Sequence, residues 1–241
     1  MILARLSRAI RDQNWFAVLL EFVIVIAGVV IGFQITAWNA ARQDRALEAV
    51  IICRLVDDFA IIGPDARQHL SDAHRTADQA NALVQAAQSG LDLDSLGQFS
   101  NEMFMLRVPP AGSATYAQLI SNGDIGLIRS SELRAALTDF GEHIERHQRA
   151  GSDLANAVFD PGAPVFGAVS LSPAEVEALS PSQRDALQAE IGSMDFLLAA
   201  RLVEAMATAS LSWKTTTVEK LERVERSLAI HGAHCVGGAT P

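Results

Sequence analysis

Between Glu21 and Arg42 the chain carries no charged side chain, and residues 22–41 are FVIVIAGVVIGFQITAWNAA. At ~1.5 Å of rise per residue this run is ~30 Å long as a helix, the thickness of a bilayer's hydrocarbon core. The expectation is a transmembrane helix over residues 15–41. Trp15 and Trp38 bracket it ~35 Å apart and suit aromatic anchors at the two interfaces. Arg5, Arg8 and Arg11 ahead of the run also fit a cleaved signal sequence. The run is too long for a signal core, however, and TAWNAARQ offers no small-x-small cleavage site, so an uncleaved anchor is expected.

Residues 1–14 then form a short basic tail on the cytoplasmic side. Arg42, Arg45 and Arg54 nearly balance its arginines, so orientation rests on the tendency of such a tail to stay inside. That places residues 42–241 in the periplasm, with the anchor in a bacterial inner membrane. The chain of 241 residues is 49% hydrophobic, too apolar for a disordered protein, and two cysteines are too few for a disulfide-stapled miniature. A net charge of −9 argues against a nucleic-acid partner, so the expected partners are the lipid bilayer and another membrane helix.

Glu21, Val25, Gly28, Gly32, Ile35 and Asn39 follow spacings of four and three and share one helix stripe. Gly28 and Gly32 form a G-x-x-x-G pair, which lets two helices approach closely in lipid. Gln34 and Trp38 lie on a neighbouring stripe. The stripe is read as a membrane-helix interface, serving a homo-oligomer or a membrane-protein partner; a lipid-facing coincidence is the alternative. Glu21 either reaches up to the headgroups or meets a partner or a proton.

The run of Glu21, Gly28, Gly32, Gln34, Trp38 and Asn39 resembles the N-terminal signature of an uncharacterised family of bacterial single-pass membrane proteins. Thr115-Tyr116, then Leu119-Ile120-Ser121-Asn122-Gly123-Asp124, Leu127-Ile128 and Leu133-Arg134-Ala135-Ala136-Leu137, looks like that family's second signature. The resemblance implies one anchor followed by a helical domain and carries no activity, ligand or catalytic residue. Between the blocks the chain departs in being rich in alanine.

Beyond the anchor, Ala49, Ile52, Val56, Phe59, Gly63, Ala66, Leu70, Ala73, Ala77, Ala80, Val84 and Ala87 alternate spacings of three and four, a bundle stripe. Pro64 predicts a kink or break near 62–64, and Ser89-Gly90 a stop. Further helices are expected over 94–107, 113–121 with an Asn122-Gly123 cap, and from Ser130 or Ser131 to about 150. Residues 159–172 read as a loop. Ser172-Pro173-Ala174-Glu175 and Ser180-Pro181-Ser182-Gln183 are helix starts. A last helix over 193–230 carries the stripe Leu198, Leu202, Ala205, Ala209, Trp213, Thr217, Leu221, Val224 and Leu228, and residues 231–241 read as a flexible tail. The fold expected is all-α, a bundle over 42–230 with long first and last helices.

His143 and His147, four apart, have the spacing of a metal pair, but the order of a metalloprotease motif is missing and partly exposed histidines are the simpler reading. His231, His234 and Cys235 are a second soft-metal set, on a mobile tail. Neither set is adopted, so no metal is expected. For Cys53 and Cys235, a disulfide, a cross-link between two copies and free thiols all remain open. No nucleophile elbow, phosphate loop or dinucleotide fingerprint occurs, and the expectation is a non-enzyme without cofactor. The function expected is a helical assembly or scaffold module of a single-pass membrane protein. The alternative is a periplasmic ligand-sensing or ion-coupled subunit acting through a partner.

Overall fold

A computed structural model of the chain describes residues 15–96, 98–99, 112–158 and 173–235. All regular elements among them are helical: α1 Trp15–Ser89, α2 Leu93–Leu96, α3 Ala114–Asn122, a 3-10 turn Asp124–Leu127, α4 Ser131–Val158, α5 Pro173–Glu177, α6 Pro181–Ile191 and α7 Met194–His231. The chain divides into two compact units, residues 1–50 and 51–241. In the first, α1 has a stretch with mean hydropathy 2.3 and no buried residue, long and apolar enough to cross a membrane.

The second unit is an α-helical bundle with two apolar cores. One joins Leu55, Phe59 and Ile62 of α1 to Leu133, Leu137 and Phe140 of α4 and Leu221, Val224 and Leu228 of α7. The other joins Ala80, Leu83 and Val84 of α1 to Phe196, Ala200, Val203 and Ala207 of α7, with Leu93, Val176 and Ile191 from the short helices. Early α1 residues thus meet late α7 residues and the reverse, so α1 and α7 run antiparallel within this unit. Alanine at Ala73 and Ala80 lets the helices approach closely, and both are buried.

α1 continues through Pro64 as one helix, so the expected break is absent. Proline there removes the bond to the carbonyl of residue 60. Ala60, Ile61, Pro64 and Asp65 are all exposed, so that carbonyl faces water, while Gly63 and Ala66 on the other side are buried. α1 ends at Ser89, with Gly90 at φ +93°. Of the helix expected over 94–107 the described residues hold α2 as far as Leu96 and then a turn, in which the Gln98 and Phe99 N–H groups donate to the Ser95 and Leu96 carbonyls; residues 100–107 lie outside the described residues, as does the expected loop at 159–172. α4 runs eight residues past the expected end at 150, because a lone interior glycine such as Gly151 costs only about 1 kcal/mol.

α3 begins at an N-cap that the sequence does not reveal in full. Ser113 accepts from the Tyr116 N–H, and Asp58 of α1 accepts from both the Ser113 hydroxyl (2.7 Å) and the Thr115 N–H (3.0 Å). One carboxylate of α1 thus satisfies an orphan N–H of α3 and fixes the hydroxyl that caps it. Asp58→Ala is expected to destabilise the unit by about 1–2 kcal/mol, measurable as a lower denaturation midpoint; an unchanged midpoint would remove Asp58 from this role. α3 closes on Gly123 at φ +78°, as the Asn122-Gly123 pair predicts. Pro181 opens α6 behind a capping box of Ser180 and Gln183, and Ser193 caps α7 by accepting from the Phe196 N–H.

The α7 stripe needs correction in its first half. Leu198, Leu202, Ala205, Ala209 and Trp213 are exposed, whereas Phe196, Ala200, Val203, Ala207, Lys214 and Thr217 are buried. The buried positions continue the three-four alternation through Ser210 to Leu221, Val224 and Leu228. They pass through Ser210 and Lys214, polar residues that an apolar pattern search avoids.

Candidate functional site

In the first unit the expected interface residues Glu21, Gly28, Gly32, Gln34 and Asn39 are all exposed. A methyl group added to Gly28 or Gly32 meets nothing within 4 Å. Thr36 donates its hydroxyl to the Gly32 carbonyl at 3.0 Å, which satisfies that polar group within the helix itself. Trp38 is exposed and has the Arg42 guanidinium 5.9 Å from its ring, a cation beside an aromatic at the charged end of the run. Trp15 opens α1.

In the second unit, Cys53 and Cys235 form a disulfide across 182 residues, with Cα atoms 5.3 Å apart. Local packing brings the ends together. A Cβ on Gly232 would stand 2.8 Å from both the Leu228 carbonyl and the Val56 side chain, so only glycine lets this turn close onto α1. Cys235 N–H then donates to the Gly232 carbonyl at 2.9 Å. Residues 231–235 of the tail expected to be flexible are therefore fastened; residues 236–241 lie outside the described residues. His234 stands with the two sulfurs, all three ligand atoms within 4.8 Å. While the sulfurs are bonded to each other they offer no thiolate to a metal.

Where one core gives way to the other, the buried positions turn polar: Asp72 on α1, His147 on α4, Lys214 and Thr217 on α7. Asp72 accepts from Gln68 at 2.9 Å and pairs with Arg75. His143 Nε2 lies 2.9 Å from the Thr217 hydroxyl and 3.3 Å from the Trp213 carbonyl. Thr217 itself donates to that carbonyl, so the network assigns the His143 proton to Nε2. His147 sets its ring edge to face with Trp213 at 4.8 Å. Burial depresses the basicity of both histidines. For His147 it does so, with the nearby His143 and Lys214, down to a pKa of about 4; for His143, Lys220 and Arg146 add to burial while the Trp213 carbonyl opposes it. Both histidines thus touch α7, His143 through Nε2 and His147 through its ring against Trp213. Asp139 also bonds Lys220 at 2.7 Å and Arg223 at 3.2 Å, tying α4 to α7.

A cavity of about 420 Å³ that no sequence pattern marks lies between α3 and α4. Phe59, Leu137, Phe140 and Ile144 line it, with Tyr116 and Glu145 among its other residues. Gly141 is the only signal that pointed there. A Cβ on it would lie 2.3 Å from Cε1 of Tyr116, so a glycine in mid-helix leaves the tyrosine ring its place beside α4. No protein-family model, curated protein or solved structure matches the chain.

Proposed function

We propose that the chain is a single-pass bacterial inner-membrane protein of the uncharacterised family its two sequence blocks resemble, whose helical unit stands in the periplasm as a non-enzymatic assembly module. The observation that carries this reading is the Cys53–Cys235 disulfide. Structural disulfides persist in oxidising compartments, and an inner-membrane anchor with its N-terminus inside delivers the rest of the chain to one. Self-association through the anchor is supported by the open surface over Gly28 and Gly32, in a helix with no buried residue in its apolar stretch.

The experiment is a comparison of oligomeric state in membranes by cross-linking. The intact anchor is expected to self-associate, and Gly28→Ile with Gly32→Ile to weaken association at least tenfold, about 1.4 kcal/mol, by blocking close approach. Equal cross-linking in the double variant contradicts the assembly reading. A partner-coupled sensing role is the second reading, and the α3–α4 cavity favours it.

A further inference from the structure

We infer that the cavity between α3 and α4 is a binding site for a small aromatic compound carrying a cationic amine. It lies wholly within the second unit, so the inference deepens the sensing reading and is independent of the side of the membrane on which that unit stands. Its volume, about 420 Å³, falls within the range of small-molecule sites and accommodates a one- or two-ring compound.

The walls choose the body of the ligand. Three aromatic rings, Phe59, Tyr116 and Phe140, face the space together with Leu137 and Ile144. Phe59 and Phe140 already meet edge to face at 5.3 Å. A flat aromatic guest gains offset or edge contacts from such a set beyond the area it buries. The site is also held open by its own backbone. Asp58 clamps the start of α3 to α1 through Ser113 and Thr115, and the absence of a side chain at Gly141 leaves the Tyr116 ring the space against α4 that a Cβ would fill.

The rim chooses the head. Among the described lining residues only Glu145 is charged, and it is negative; Gln148 and Ser121 add neutral acceptors. Arg149 approaches Glu145 to 3.8 Å, but both side chains are about seven-tenths exposed, a weak pairing that an amine in the cavity mouth displaces. Aromatic faces beside an ammonium add a cation–π attraction. An anionic head would meet Glu145 in a chain whose net charge is −9.

The chain has a single tyrosine, Tyr116, and this makes the test specific. The full chain, grown with 3-fluorotyrosine and placed in phosphatidylcholine nanodiscs, gives one protein fluorine resonance, which reports from the cavity wall. Titration with tryptamine is expected to move it saturably with a half-point at or below about 1 mM. Ala117→Trp fills the space from an exposed lining position and is expected to weaken binding at least about tenfold. Ile120→Lys, also exposed, puts a cation at the site and is expected to do the same without filling it, which keeps the test valid should the first variant fold poorly. Glu145→Gln is expected to cost about fivefold, and indole-3-propionate, the same ring with an anionic head, to bind at least about fivefold more weakly than tryptamine. No saturable shift up to about 10 mM overturns the site, and an equal shift in Ala117→Trp and Ile120→Lys overturns it as lipid partitioning. Equal binding of the two indoles overturns the assignment of the amine. None of these outcomes depends on membrane topology or oligomeric state.

Discussion

Reducing the Cys53–Cys235 disulfide, or replacing Cys235 by serine, is expected to lower the unfolding free energy of the helical unit by about 4–5 kcal/mol. The bond closes a loop of 182 residues, and loop-closure entropy alone gives about 5 kcal/mol for a loop that long. The loss is large against the 5–15 kcal/mol by which a domain is ordinarily stable. It also concentrates where the bond acts. Gly232 has no side chain to pack, so without the disulfide the 232–235 turn rests on its hydrogen bonds to the Leu228 and Gly232 carbonyls and on the contact of Cys235 with the core of α1, α4 and α7. Denaturant midpoints of the full chain in nanodiscs, with and without a dithiol reductant, measure the effect. A difference under about 1 kcal/mol would mean that packing of α1 on α7 holds the ends together unaided.

Acidification is the second large effect. His147 has its pKa depressed from 6.5 to about 4 in the folded unit, so between those values the unfolded chain binds a proton that the folded one refuses. Stability is therefore full above about pH 6.5 and falls as the pH drops toward 4, by up to about 3 kcal/mol, one depressed unit being worth 1.36 kcal/mol. His143 is shifted in the same direction and adds to the loss. Asp139, held below its usual value chiefly by its hydrogen bond from Lys220, contributes only at more acid pH, where its own pairing is lost. Melting midpoints at pH 7.5 and 4.5 should differ by many degrees in the native chain and by much less in His147→Phe, which removes the titrating group. A flat profile between the two pH values in the native chain contradicts the buried, neutral histidine.

The long-range architecture was legible because its signals are local and repeated. The three-four alternation from Ala49 to Ala87 lies on the inner side of α1 without a slip: every member is buried or half-buried. The Ser180 capping box, the Ser193 cap and the Gly123 left-handed cap mark helix ends to within a residue because each depends on the chemistry of three or four neighbouring residues. The rest depended on partners far away in sequence. On α7 two stripes fit helical spacing, and the one that packs runs through Ser210 and Lys214; the choice is made by α1 and α4, which present Asp72 and His147 at that level. Pro64 is tolerated because its lost bond faces solvent, a property of the bundle. The cavity is invisible to pattern because its residues come from three helices, and only Gly141 hints at it. The disulfide, left open by the sequence, follows from antiparallel α1 and α7 bringing positions 53 and 235 to one end of the bundle.

Protease digestion of sealed, right-side-out vesicles from cells that express the chain with a C-terminal epitope decides on which side of the membrane the helical unit stands. A single-pass anchor with the helical unit outside predicts that the epitope is destroyed without lysis and that Cys53 and Cys235 are recovered as one disulfide-linked peptide pair. An epitope protected until the vesicles are opened, with both cysteines alkylated as free thiols, would place the unit in the cytoplasm and contradict a periplasmic assembly module.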